Sequence, residues 1–224
     1  MTSIPASTKI ALITGANKGI GFAIAKQLAT EHKGYHILMG SRDPERGREA
    51  AAALQKEGLS VEALEIDVSD DNSIAAAAQS VATKFGRLDK TFAVNVFGAA
   101  ATTEAFVPLL EKSAAARLVF VSSDLGSLTF RANPEGRHNF VNGPAYRCSK
   151  AAMNMLALGY AHQFLGKPGW KVNIHNPGYT ATDLNGNMGA GTVEDGAKNA
   201  VRLATLGEDG ETATYSEREG PLPW

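Results

Sequence analysis

One stretch constrains this chain more than any other: Thr14 to Gly21, reading Thr-Gly-Ala-Asn-Lys-Gly-Ile-Gly, directly after the apolar run Ile10 to Ile13. An apolar run, a glycine-rich turn and an amphipathic continuation through Glu31 predict strand, tight turn and helix. Gly15, Gly19 and Gly21 let the turn be tight, let a diphosphate approach the backbone and let the helix pack closely on the strand. The helix then directs its first amide groups and the positive end of its dipole at the phosphates. Asn17, Lys18 and Ile20, which lie between the glycines, join them as candidate cofactor contacts. Such a turn can be purely structural in any α/β protein, but its placement between strand and helix favours dinucleotide binding.

The rest of the chain repeats the same alternation. Strands are expected at Tyr35 to Gly40, Ser60 to Ile66, Arg117 to Val121, Lys171 to His175 and Thr212 to Ser216. Helices are expected at Pro44 to Glu57, with Asp43 as cap, and at Asp70 to Phe85, Ala145 to Phe164 and Glu194 to Leu206. This pattern predicts an α/β fold, a Rossmann-type doubly wound parallel sheet, in a single domain over 1–224. With 224 residues, 44% of them hydrophobic, and a formal net charge of −1, the chain can bury a large core and has no general attraction to nucleic acid or to an anionic membrane. No apolar stretch approaches the roughly 20 residues that span a bilayer, and the start of the chain lacks an apolar signal core. A single cysteine, Cys148, excludes an internal disulfide, so a cytoplasmic location is expected. The histidines at 32, 36, 138, 162 and 175 show no metal spacing, and no metal is expected.

Tyr146 and Lys150 are four residues apart on an expected helix, so their side chains share one face and can reach one bound molecule. A tyrosine of ordinary pKa about 10 is a poor acid-base near neutrality unless a cation favours its ionised form, and Lys150 could supply that cation. At the end of the second strand, where an acidic residue would pair the ribose hydroxyl of NAD, the chain has Gly40-Ser41-Arg42. Arg42 and Lys18 are cations suited to a 2′-phosphate, and Ser41 could add a hydrogen bond, which favours NADPH/NADP.

The Thr-Gly-x-x-x-Gly-x-Gly turn, Val121-Ser122-Ser123, the Tyr146-x-x-x-Lys150 element and Asn176-Pro177-Gly178 stand in an order that resembles the short-chain dehydrogenase/reductase family, and most nearly its carbonyl-reductase-like members. The resemblance implies that Tyr146 protonates a carbonyl oxygen, Ser123 hydrogen-bonds that oxygen, Lys150 also holds the nicotinamide ribose, and Asn95 completes a catalytic tetrad. It implies adenine contacts from Asp67 and Val68, with Asp67 also a possible helix cap, and contacts to the nicotinamide from Pro177, Gly178, Thr180 and Thr182.

The expected activity is reduction of a small-molecule ketone, aldehyde or quinone; the alternative is a nucleotide-binding sensor or scaffold of the same fold without turnover. Monomer and homo-oligomer are equally open. The segment from Asp124 to Pro144, rich in glycine, proline and asparagine, reads as a loop that either shapes a substrate pocket or is surface filler. Leu184 to Thr192 reads as a closing flap or as a linker. One family element is absent. Gly86-Arg87-Leu88-Asp89 should introduce a fourth strand, a loop and a helix start, yet the chain passes straight into Thr91 to Gly98. Either the complete polypeptide has further residues between Lys90 and Thr91, which is the expectation, or Thr91 to Val94 serves as that strand.

Overall fold

A computed structural model describes residues 5, 7–93, 96–138 and 141–224. Eight strands form one sheet: β1 (Lys9–Ile13), β2 (Tyr35–Ser41), β3 (Val61–Glu65), β4 (Lys90–Ala93), β5 (Arg117–Val121), β6 (Lys171–His175), β7 (Tyr215–Glu217) and β8 (Gly220–Pro221). Their order is β3-β2-β1-β4-β5-β6-β7-β8, and every pairing is parallel except the last. This is the doubly wound arrangement, whose strand order reverses between β1 and β4.

Strands β1 and β2 are buried almost throughout, as a parallel sheet covered on both faces requires. The pleat sorts their side chains: Ile10, Leu12 and Leu38 enter the core under α3 (Asp71–Phe85), α4 (Val96–Leu110) and α6 (Pro144–Gln163). Ala11, Ile13, Ile37 and Met39 enter the core under α1 (Gly19–Glu31), α2 (Pro44–Lys56) and α7 (Val193–Ala204). The α2 start follows its sequence signal, with Asp43 Oδ1 accepting from the amides of Glu45 at 3.0 Å and Arg46 at 3.1 Å.

Three expectations change. Asp70, not Asp67, caps α3, accepting from Asn72 N at 3.0 Å, while Asp67 folds back on Ser69. The last strand begins at Tyr215 rather than Thr212, because Ala213 adopts a φ of +58° that interrupts the extended run. The segment after Ser123 is not all loop: it forms a 3₁₀ turn at Asp124–Gly126 and the short helix α5 (Leu128–Ala132). Residues 220–224 pack on the domain, where Trp224 O accepts from Thr129 N at 2.7 Å.

The fourth-strand position is filled. Lys90–Ala93 pairs with β1 on one side and β5 on the other, and α4 begins at Val96. Asp89 fixes the entry to this strand, accepting from Ile10 N at 2.7 Å and from Ser113 Oγ at 2.6 Å.

At the same end of the sheet, Arg117 at the start of β5 is 2% exposed, and its guanidinium donates to the carbonyls of Leu206, Gly207, Gly169 and Ala116 at 2.6–3.1 Å. A buried arginine is tolerated because those carbonyls satisfy its donors. Among the described residues no helix is long and apolar enough to cross a membrane.

Candidate active site

The candidate residues converge at the carboxyl ends of β1, β2, β3, β5 and β6, around the point of strand reversal where open parallel sheets bind ligands. In the glycine turn, Gly19 has a φ of +59°. A Cβ on Gly21 would lie 2.4 Å from Gly15 O and 2.9 Å from Gly15 C, so only a bare Cα fits. The N-cap of α1 is Lys18, whose side chain makes no capping bond, so the first-turn amides are not taken by a cap. A diphosphate fits this cradle by both shape and dipole.

Lys18 Nζ lies 2.6 Å from Asp183 Oδ2, tying the glycine turn to the loop after β6 and holding the Asp183 carboxyl below its ordinary range. Both side chains are exposed, so the pair is weak and Lys18 can exchange it for a phosphate at little cost. Arg42 is exposed at the end of β2. Ser41 is buried, and its hydroxyl donates to Asp43 O at 2.7 Å, so this group serves the turn into α2. Asp67 accepts from Ser69 N at 2.9 Å and Ser69 Oγ at 2.6 Å; those bonds, with a smaller contribution from Arg42, lower its pKa. Val68 O lies where a Cβ on Gly98 would come within 2.3 Å of it, so the start of α4 presses on the loop after β3.

The two serines after β5 part as the pleat requires. Ser122 is buried and donates to Asn154 Oδ1 at 2.5 Å. Ser123 Oγ accepts from Leu125 N at 3.3 Å and lies on the side of Tyr146, which is 39% exposed. Partial burial pushes the Tyr146 phenol above its ordinary value; the neighbouring Ser123 hydroxyl draws it back, and the charge of Asp124 adds to the rise. Lys150 is buried, its Nζ donating to Val121 O at 3.0 Å and standing 5.8 Å from the Tyr146 ring centroid. Burial lowers Lys150 to about 8. The sequence expectation that Lys150 lowers the tyrosine is not what the free protein displays: the phenol is shifted upward and so retains its proton. Asn95 lies outside the described residues.

After β6, Gly178 N donates to Asn176 Oδ1 at 3.1 Å, and Thr180 Oγ1 donates to Pro177 O at 2.8 Å. Thr182 N donates to Asn185 Oδ1 at 3.1 Å, and Thr180 and Gly191 form a parallel bridge. Residues 184–192 are therefore held by their own hydrogen bonds. Cys148 is exposed on α6. Sequence reasoning missed Asp124, Arg137 and Glu217, which pair beside Ser123; no local pattern signals them, since they come from three separate segments.

The family model described as short chain dehydrogenase matches residues 9–90 and 88–192. The short-chain dehydrogenase/reductase ATR10 of Stachybotrys chlorohalonatus is 35% identical over 265 aligned positions, covering 96% of this chain and 94% of its own. Salutaridine reductase from Papaver somniferum superposes with a TM-score of 0.80 at 25% identity, covering 92% of this chain and 98% of its own. The NADPH-bound carbonyl reductase from chicken fatty liver shares the fold, with a TM-score of 0.83 at 23% identity, over 97% of this chain and 99% of its own. One family model thus takes in both the glycine turn and the tyrosine helix, and a relative aligns along nearly the whole of both chains: this chain belongs to the short-chain dehydrogenase/reductase family.

Proposed function

We propose that the chain is an NADPH-dependent reductase of carbonyl compounds, taking a ketone, aldehyde or quinone to the alcohol or hydroquinone. The observation that carries this reading is the buried Lys150, whose Nζ is held on Val121 O at the carboxyl end of β5 and stands 5.8 Å from the Tyr146 ring, at the same end of the sheet as the glycine turn. Bound NADPH would supply the hydride. Ser123 and Tyr146 would receive the substrate oxygen between their hydroxyls, and Tyr146 would give it a proton as negative charge develops there. Because Tyr146 is 39% exposed, water can return the proton directly. Lys150 would keep a cation behind the phenol and reach the ribose. Thr180 and Thr182, with Pro177 and Gly178, would hold the nicotinamide, and Asn95 would complete the set. Following NADPH absorbance with a panel of ketones, aldehydes and quinones tests the reading; turnover is expected, and NADPH binding without turnover on any of them would overturn it.

The choice of NADPH rests on Arg42 and Lys18. Arg42→Asp removes a partner of the 2′-phosphate and offers an acceptor to a free ribose hydroxyl. A charge-assisted pair contributes about 1.5–3 kcal/mol, and an exposed one lies at the low end, so the NADPH/NADH preference should fall about tenfold. An unchanged ratio of kcat/KM values for the two cofactors would relieve Arg42 of this role.

We also infer that the natural polypeptide carries further residues at the Lys90–Thr91 join. The alignment to ATR10 runs over 265 positions, more than the 224 residues of this chain, and the family match breaks at 88–90. The protein isolated from its natural source should then exceed 23.6 kDa in intact-mass measurement. A mass equal to 23.6 kDa would favour the second reading, a nucleotide-binding sensor or scaffold, because a strand as short as Lys90–Ala93 leading into α4 leaves little chain to wall the cofactor.

A further inference from the structure

A chain of polar groups that the proton-transfer set does not use runs from the catalytic serine to the nicotinamide side of the cleft. Asp124, which follows Ser123, is 8% exposed, and its Oδ1 is 3.4 Å from Ser123 Oγ. Its Oδ2 lies 3.3 Å from Arg137 Nε and 3.1 Å from His138 Nε2. Arg137 Nη2 donates to both oxygens of Glu217, at 3.0 and 3.1 Å, while its guanidinium lies over the Phe130 ring, 4.6 Å from the centroid. Glu217 Oε2 then accepts from Asn176 Nδ2 at 2.7 Å, and Asn176 Oδ1 accepts from Gly178 N at 3.1 Å.

Four segments meet in this chain: the turn after β5, the stretch after α5, the loop after β6, and β7. The carboxylates are mostly withdrawn from water, with side-chain exposures of 10% for Asp124 and 13% for Glu217, and one planar guanidinium reaches both. Its fork geometry makes that double engagement possible, which a lysine could not reproduce. Removing it would leave Asp124 with His138 and Glu217 with Asn176, and would take away the one side chain that joins the two carboxylate-bearing segments.

Resting on the reductase reading above, we propose that Arg137 is a positioning residue: by gripping Asp124 and Glu217 together it fixes the Ser123 hydroxyl on the substrate side relative to the Gly178 backbone on the nicotinamide side. Proton donor and hydride source have to meet at one carbonyl group, and a misplacement of about 1 Å costs up to roughly a hundredfold in rate.

The test compares Arg137→Met, which keeps an apolar stem against Phe130, with Arg137→Lys and Glu217→Gln. In Arg137→Met kcat should fall about ten- to a hundredfold while the Kd for NADPH changes less than about twofold. Arg137→Lys should recover part of the loss, because an ammonium can hold one carboxylate. Combining Arg137→Met with Glu217→Gln should be no worse than Arg137→Met alone, as expected for members of one unit. Should Arg137→Met fold poorly, Glu217→Gln carries the same comparison. Independently of turnover, hydrogen exchange in Arg137→Met or Glu217→Gln should quicken together in residues 124–130 and at Gly178. A folded Arg137→Met with unchanged kcat and KM, or quickened exchange confined to 128–138, overturns the proposal. If the parent protein turns over no carbonyl with NADPH, the reductase reading fails by itself, and the exchange measurement still decides the role of Arg137.

Discussion

Tyr146→Phe should remove carbonyl reduction almost completely and leave NADPH binding intact. The substitution deletes one oxygen and keeps the ring beside Lys150, so the fold and the cofactor cradle lose nothing they depend on. What goes is the hydroxyl that faces Ser123 and that, in the proposed reaction, would carry the transferable proton. A positioned general acid contributes about 10²–10⁴ in rate, and the expected loss in kcat lies in that range, with the Kd for NADPH within about twofold of the parent. Because burial and Asp124 push the Tyr146 phenol upward from its ordinary value, it stays protonated through the neutral range, and the parent rate should be flat from about pH 6 to 9 as far as this group decides it. Single-turnover decay of NADPH absorbance measures the chemical step; an undiminished rate in the variant would remove Tyr146 from the mechanism.

Lys150→Met should cost activity and add stability. Lys150 is 7% exposed and its folded-state pKa is lowered by burial to about 8. The sign follows from the proton count. Below about pH 8 the lysine is charged in both states, and the folded state bears the desolvation. Between about 8 and the ordinary 10.5 the unfolded chain binds a proton that the folded chain does not, so parent stability rises with pH there. Methionine fills similar volume without charge. At pH 7 the variant gains on the order of 1–3 kcal/mol from the absent charge, offset by the unpaired Val121 carbonyl, and a net gain near 1 kcal/mol is expected. That advantage should shrink as pH rises from 8 to 10.5, which urea unfolding of both proteins across that interval measures. Turnover should fall roughly 10²–10³-fold for want of the cation. A variant less stable than its parent at pH 7, with no pH trend in the difference, would contradict this account.

The fold was legible because its signals are local and repeated. The apolar runs at β1, β2, β5 and β6, the Asp43-Pro44 helix start and the glycine turn each follow from neighbours in sequence, and the elements lie within a residue or two of expectation. The tail strand shifted because a left-handed residue, Ala213, could not be foreseen from an alanine. Around the site, four-residue spacing put Tyr146 and Lys150 on one helix face and pleat alternation parted Ser122 from Ser123, while the choice of Ser123 came from the resemblance to the family. Ser41 shows the limit: its type suits a phosphate, but the adjacent Asp43 backbone takes its hydroxyl. Arg137 and Glu217 were invisible for a different reason: 80 positions separate them, and their meaning exists only once the fold brings β7 beside the stretch after α5.

The buried arginine at the base of β5 also has a consequence for how the molecule is born. Arg117 leaves the ribosome long before Gly169, and longer still before Leu206 and Gly207, which supply most of its carbonyl partners. Until those residues emerge, the centre of the sheet holds a cation with nowhere to put its donors, and closing β5 into the core is unfavourable. The core of β1 and β2 under α1 and α2 also takes in Ala197, Ala200 and Leu203 of α7, so both halves of the sheet depend on residues that emerge late. A chain cut before Leu206 should leave the Arg117 guanidinium without most of its acceptors, and β5 would then close into the core only at the cost of desolvating an unsatisfied cation.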